Sequence, residues 1–172
     1  MNDTEAIALR QVTIHVNGTA CRKWIEPRTH LIDFLRDDIG LRTCRAGCEH
    51  GVCGSCTLRL DGDIVRGCLV LAVQADGCDV ETIDAASDAG ELAQLQQAFH
   101  ARNALQCGFC TSGMLFTAAA LIQEHPQASR AQVREYMSGN YCRCTGYHAI
   151  IDAICDVLAQ RQAGKEDGNG QG

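Results

Sequence analysis

An α+β chain is the fold class that the sequence predicts: a small mixed sheet crossed by a helix, followed by a four-helix bundle. Three observations predict it. Up to about residue 85 apolar residues alternate singly between turn-forming dipeptides, which is the period of strands. From residue 86 they recur every three or four positions, which is the period of helices. Twelve of the 172 residues are cysteines, and eight of these form two groups, each with its own spacing and each within one of those halves.

Val12, Ile14 and Val16 alternate toward Asn17-Gly18, and a second stretch reaches Trp24 and Ile25. This predicts a β-hairpin that Pro27 ends. The run HLIDFLRDD from His30 puts Leu31, Phe34 and Leu35 on one face of a short helix. TLRLDGDIVRG reads as two strands around Asp61-Gly62, a strong hairpin signal, and residues 79–83 supply a last strand. These elements assign residues 1–85 to a first domain.

Residues 86–162 make the second. Leu92, Leu95 and Phe99 mark one helix, and Met114, Leu115, Ala118, Leu121 and Ile122 a second that stops at His125-Pro126. Val133, Tyr136 and Met137 mark a third, with Ser129 as its N-cap and Gly139 just beyond its end. Ile150, Ile151, Ile154 and Leu158 mark the fourth, over residues 148–160. Residues 163–172, AGKEDGNGQG, are polar and glycine-containing and are expected to be disordered. No internal repeat is visible.

The first cysteine group is Cys48, Cys53, Cys56 and Cys68. C-x4-C-x2-C with a more distant fourth cysteine is the plant-type [2Fe-2S] spacing. Gly47, Gly51 and Gly54 sit where such a loop must turn tightly and aim backbone N–H groups at an anionic core. The hairpin brings Cys68 back to the loop. The second group is Cys107 and Cys110 in QCGFCTSGM with Cys142 and Cys144 in GNYCRCTGY. Each pair precedes a helical stretch, so unpaired N–H groups and the positive helix end favour thiolates and a negatively charged cluster. Zinc also takes four thiolates and stays open as an alternative, more so for the second group than for the first.

Other readings are weaker. A disulfide scaffold is disfavoured because the chain is long enough to bury a core, its cysteine content is modest and Met1-Asn2-Asp3-Thr4 opens no signal peptide. A Rieske centre needs two histidine ligands; His15, His30, His100, His125 and His148 are scattered and His50 merely occupies the loop, so all six are read as structural or surface residues. Cys21, Cys78 and Cys155 need not be ligands. Cys44 stands four positions before Cys48 and ranks second to the matched set. A net charge of −6 argues against nucleic acid as a partner, no apolar run approaches a membrane span, and free thiols fit a reducing cytoplasm.

CEHGVCGSC with Cys68, then QCGFCTSGM and SGNYCRCTGY, in this order, resemble the small iron–sulfur subunit of the molybdenum hydroxylases, the family of xanthine dehydrogenase, aldehyde oxidoreductase and aerobic carbon monoxide dehydrogenase. The resemblance covers residues 10–160. It implies a β-grasp, plant-ferredoxin-like domain holding an outer [2Fe-2S] cluster on Cys48, Cys53, Cys56 and Cys68. The helical bundle would hold an inner cluster on Cys107, Cys110, Cys142 and Cys144. Gln106 and Cys144 would touch a molybdopterin, in its cytosine dinucleotide form, carried by a large subunit, and a medium subunit would bind FAD. Electron relay is the implied function, and a free-standing two-cluster ferredoxin is the alternative. Ser112 departs from the family's usual proline in CTPG, and a serine there can cap the helix instead. Cys44 is a second departure.

Overall fold

Two left-handed residues, Asn17 at φ 51° and Gly18 at φ 77°, turn strand β1 (Arg10–Val16) into antiparallel strand β2 (Thr19–Ile25). Successive positive φ values match the strand twist, so the dipeptide read from the sequence forms the expected tight hairpin. The computed structural model describes residues 8–168; Met1-Asn2-Asp3-Thr4 and the last four residues of the polar tail lie outside the described residues.

The predicted first helix is shorter and wider than its periodicity suggests. Helix α1 (Leu31–Asp33) passes into one π-helical turn, Phe34–Asp38, in which Ile39 N–H donates to Phe34 O at 3.1 Å. The wider turn inserts one extra residue while Leu31, Phe34 and Leu35 all stay fully buried. The second hairpin, β3 (Thr57–Leu60) and β4 (Asp63–Arg66), turns at Asp61 and Gly62 as anticipated. A 3-10 turn at Ala72–Ala75 precedes β5 (Asp79–Glu81).

The five strands run in the order β2-β1-β5-β3-β4, with β1 and β5 parallel and every other pair antiparallel. β5 therefore joins the two hairpins into one sheet. Its far end differs from expectation: it stops at Glu81 because Thr82 is captured from the side. Asn17 Oδ1 accepts from Thr82 N–H at 2.9 Å and Asn17 Nδ2 donates to Thr82 Oγ1 at 2.9 Å. Ile83 instead begins a helix.

Five α-helices, not four, follow the sheet among the described residues: α2 (Ile83–Asp88), α3 (Ala93–Ala101), α4 (Thr111–Glu124), α5 (Arg130–Tyr136) and α6 (His148–Gly168). Ser129 caps α5 with a capping box to Gln132. Gly139 lies inside a 3-10 turn, Met137–Gly139, that extends α5, rather than beyond its end. α6 runs on to Gly168, through residues expected to be disordered from 163, because adding residues to an established helix gains a hydrogen bond each without a new nucleus.

Burial falls into two clusters. Val12, Ile14 and Val16 pack with Leu31, Phe34, Leu35 and Val80 under the sheet, and Leu92, Phe99, Met114, Leu121, Val133, Ile150 and Ile154 pack between the helices. Arg59 ties them together. From β3 its guanidinium reaches Glu81 on β5 and Glu91 ahead of α3, each at 2.7 Å, and lies 5.2 Å from the ring centre of Phe116 on α4. Both carboxylates raise the guanidinium pKa, so this cation is permanent. No helix of the described residues is long and apolar enough to cross a membrane.

Candidate metal centres

Cys48 and Cys53 lie in the loop that enters β3, Cys56 immediately precedes that strand, and Cys68 follows β4. The hairpin closes as the sequence predicts. Gly67 N–H donates to Cys56 O at 3.1 Å, and the Cys56 and Cys68 sulfurs come within 3.4 Å. At the loop's other side Cys53 N–H donates to Cys48 Sγ at 3.3 Å. A Cβ on Gly47 would stand 3.0 Å from Cys53 Sγ, so a side chain there would press into the cage.

Cys107 and Cys110 lie just before α4, and Cys142 and Cys144 just before α6. The Cys107 and Cys144 sulfurs are 3.7 Å apart, and Cys110 faces Cys142. Thr145 Oγ1 donates to Cys142 Sγ at 3.1 Å, and Cys142 N–H donates to the Tyr147 hydroxyl at 2.9 Å. Thr145 and Tyr147 are site residues that spacing arguments missed. Their signal lies in the sequence, as a hydroxyl and a phenol within five residues of Cys142, but nothing about periodicity singles them out.

In both groups the thiols stand in pairs. A single tetrahedral zinc would need all four sulfurs on one centre, whereas two irons linked by sulfide can each take one pair. The residues present therefore fit a two-iron group in each cage.

The thiols also divide by electrostatics. Burial pushes Cys56 up to about 12, and burial with the neighbouring Cys142 pushes Cys110 to about 12. Burial also acts upward on Cys48, but the surrounding backbone N–H groups of Cys53, His50 and Val52 outweigh it and bring that thiol to about 6. On Cys142 burial is likewise outweighed, by the Thr145 hydroxyl and the backbone of Cys144 and Thr145. Ligands must shed protons to bind metal. The upward shifts of Cys56 and Cys110 favour the protonated thiol near neutral pH, so iron has to displace those protons. Anaerobic reconstitution with iron and sulfide is expected to release protons and to tighten by about tenfold per pH unit for each proton displaced. Calorimetry in buffers of different ionisation enthalpy checks this; uptake independent of pH would contradict it.

Cys44 is elsewhere. It is buried in the sheet core at 7% exposure, its carbonyl accepts from Arg36 Nη1 at 2.6 Å, and burial pushes its thiol up to about 12. Cys21 and Cys78 pack partly buried against the same core, and Cys155 against the helices. Gln106 is exposed, and its Nε2 donates to Cys144 O at 2.9 Å, so the two residues expected to face a pterin touch each other. Ser112 does not cap α4. The N-cap position is Cys110, and Ser112 Oγ is buried without a partner.

The two cages abut. Tyr141 N–H donates to Cys53 O at 2.8 Å, joining a cysteine of the first group to the neighbour of a cysteine of the second. Asn140, 1% exposed, donates from Nδ2 to Gly54 O at 3.3 Å, and Arg66 Nη2 donates to Gly139 O at 2.9 Å. Gly54 has φ +73°, and Gly113 on α4 lies so close that a Cβ there would sit 2.1 Å from Gly54 O. Only glycine permits that approach. Arg45 also lies 5.8 Å from the ring centre of Phe109.

Exposure differs between the cages. Cys56 and Cys68 are buried, whereas Cys107 and Cys144 are exposed. Leu105, Phe109 and Tyr141, which flank Cys107, Cys110 and Cys142 in sequence, are all large and apolar yet open to solvent. Val52 and Leu69 are likewise open beside the first cage. Apolar groups gathered at one place on a surface mark a contact face.

Comparison with known proteins agrees. A family profile described as a [2Fe-2S] binding domain matches residues 80–155. The beta subunit of the 6-hydroxypseudooxynicotine dehydrogenase complex of Paenarthrobacter nicotinovorans is 51% identical over 149 residues, which cover 86% of this chain and 93% of that protein. Caffeine dehydrogenase subunit gamma of Pseudomonas sp. (strain CBB1) is 46% identical, with 91% and 95% covered. Quinoline 2-oxidoreductase from Pseudomonas putida 86 contains a chain that superposes with a TM-score of 0.80 at 48% identity, over 92% of this chain and 98% of that one. Carrying both cysteine groups and matching these relatives over nearly their whole length, the chain belongs to the small iron–sulfur subunits of the molybdenum hydroxylase family.

Proposed function

We propose that this chain relays electrons, with no bond-making step of its own, from a molybdopterin centre in a large partner subunit to a flavin in a medium subunit or to another acceptor. Cys107, Cys110, Cys142 and Cys144 hold the inner [2Fe-2S] cluster, and Cys48, Cys53, Cys56 and Cys68 the outer one. When bound, these groups supply reversible one-electron transfer. The observation that carries the reading is the pairing of sulfurs at 3.4 and 3.7 Å in two cages, joined by the hydrogen bond from Tyr141 to Cys53.

The protein's own contribution is placement and tuning. Cys53 N–H and Thr145 Oγ1 donate to ligand sulfurs, which stabilises added negative charge and so raises a reduction potential. Gln106 holds the Cys144 carbonyl, fixing the loop that would meet the pterin, taken to be in its cytosine dinucleotide form. The apolar rim of Leu105, Phe109 and Tyr141 supports a docked subunit over a free-standing ferredoxin. Two separate buried clusters of residues support a β-grasp domain over residues 1–85 and a helical domain over 86–162. Relatives named for caffeine, quinoline and a nicotine derivative favour a nitrogen heterocycle as the substrate of the assembly, which we place in the cytoplasm; the residues that select it lie in the large partner.

Metal analysis and electron paramagnetic resonance of the purified complex test the assignment. About four irons with matching sulfide per small chain, and two distinct signals after dithionite reduction, are expected. Zinc in place of iron, or a single signal, would overturn it.

A further inference from the structure

Between the sheet and the start of α4 is a cavity of about 10 Å³, walled by Thr43, Cys44, Cys56, Thr57, Thr82 and Ser112 among others. That volume admits the centre of about one water molecule, and a buried water persists where two to four polar groups can bind it. Ser112 Oγ is fully buried here and has no hydrogen-bond partner in the protein. An orphaned buried hydroxyl is costly unless something satisfies it.

The other walls decide what can. Thr57 Oγ1 donates to Gly54 O at 2.7 Å and also accepts from Arg66. Thr82 Oγ1 donates to Asp84 Oδ2 at 3.1 Å and accepts from Asn17 Nδ2 at 2.9 Å. Thr43 Oγ1 likewise donates to Asp84. All three threonines have committed their only proton and keep lone pairs free, and a thiolate at Cys56 accepts only. The threonine oxygens and a Cys56 thiolate therefore present acceptors, Ser112 and the Cys44 thiol are the donors of the wall, and Ile32, Leu58 and Ile83 complete it with apolar surface. A water satisfies this arrangement, because it brings two protons to the acceptors and takes one from Ser112.

We propose that this cavity binds one water, anchored by Ser112 and donating to the Cys56 sulfur and a threonine oxygen, and that Ser112 through it raises the reduction potential of the outer cluster. The inference rests on the assignment of Cys56 as an outer ligand. A hydrogen bond to a ligand sulfur favours the more negative, reduced state. Ser112 is thus a positioning residue, acting on the cluster through the water.

The test is a redox titration of the assembled complex, wild type and Ser112→Ala, followed by paramagnetic resonance, with high-resolution diffraction of the wild type. Expected are water density in the cavity and an outer-cluster potential that moves to more negative values in Ser112→Ala while the inner one holds still. Ser112→Thr, which keeps the hydroxyl, should restore the wild-type value. Two signals in the wild type with an unmoved outer potential in Ser112→Ala, or no water density, would overturn the bridge alone. Absence of an outer signal in the wild type would overturn the cluster assignment and the bridge with it. Should Ser112→Ala fail to assemble, the diffraction result decides.

Discussion

Gly113→Ala is expected to destabilise the folded chain by more than about 3 kcal/mol, lowering the thermal midpoint of a chain this size by about 6–12 °C. The added Cβ would stand 2.1 Å from the carbonyl oxygen of Gly54. That atom belongs to backbone held on its other sides by Thr57 and Asn140, so it cannot swing away as a side-chain tip would. Relief requires α4 to lift off the cluster loop, and lifting it draws Tyr141 away from Cys53. Gly164→Ala is the contrasting variant. Nothing lies within 4 Å of a Cβ there and its φ is ordinary, so in exposed helix the change should stabilise by up to about 1 kcal/mol. Thermal unfolding of the two variants beside the parent checks both signs. A Gly113→Ala midpoint within a degree or two of the parent would contradict a close-packed seam.

Cys56→Ser should remove the outer cluster and leave the inner one, and Cys110→Ser should do the reverse. In each variant iron would fall from about four to about two per chain, and one of the two resonance signals would vanish. Each substitution leaves its partner, Cys68 at 3.4 Å from Cys56 or the facing Cys142, without the second thiolate of its pair. Electron flow to an external acceptor should stop in both, while substrate still reduces the molybdenum centre in a single turnover. Loss of both signals from one substitution would mean that the cages do not form independently.

Local chemistry explains how much of this was legible from the chain alone. Asn17-Gly18 and Asp61-Gly62 specify their turns because few residues tolerate positive φ, so both hairpins could be read directly. Ser129 with Gln132 spells out its own cap, and α4 ends at Glu124, two residues before Pro126. Cysteine spacing pointed to both groups of thiols that the fold brings into pairs, since a loop of fixed length can reach a small metal core in few ways. What stayed hidden depends on contacts distant in sequence. Ile83 looks like the end of a strand until Asn17, 65 residues from Thr82, captures the backbone and lets α2 start. The π turn after α1 keeps the same apolar face buried, so periodicity cannot reveal it. The pairing of Gln106 with Cys144 and the meeting of Gly54 with Gly113 arise only when the two halves come together.

The joint at Gly54 and Gly113 is built from main-chain atoms, and its nearest hydrogen bonds, from Tyr141, Asn140 and Arg66, end on carbonyl oxygens. Such a joint recognises the course of the chain more than the identity of side chains. Hybrids that splice the front portion of one relative to the back portion of another should mate correctly wherever both glycines are retained, which makes this subunit a natural place to exchange redox modules between complexes.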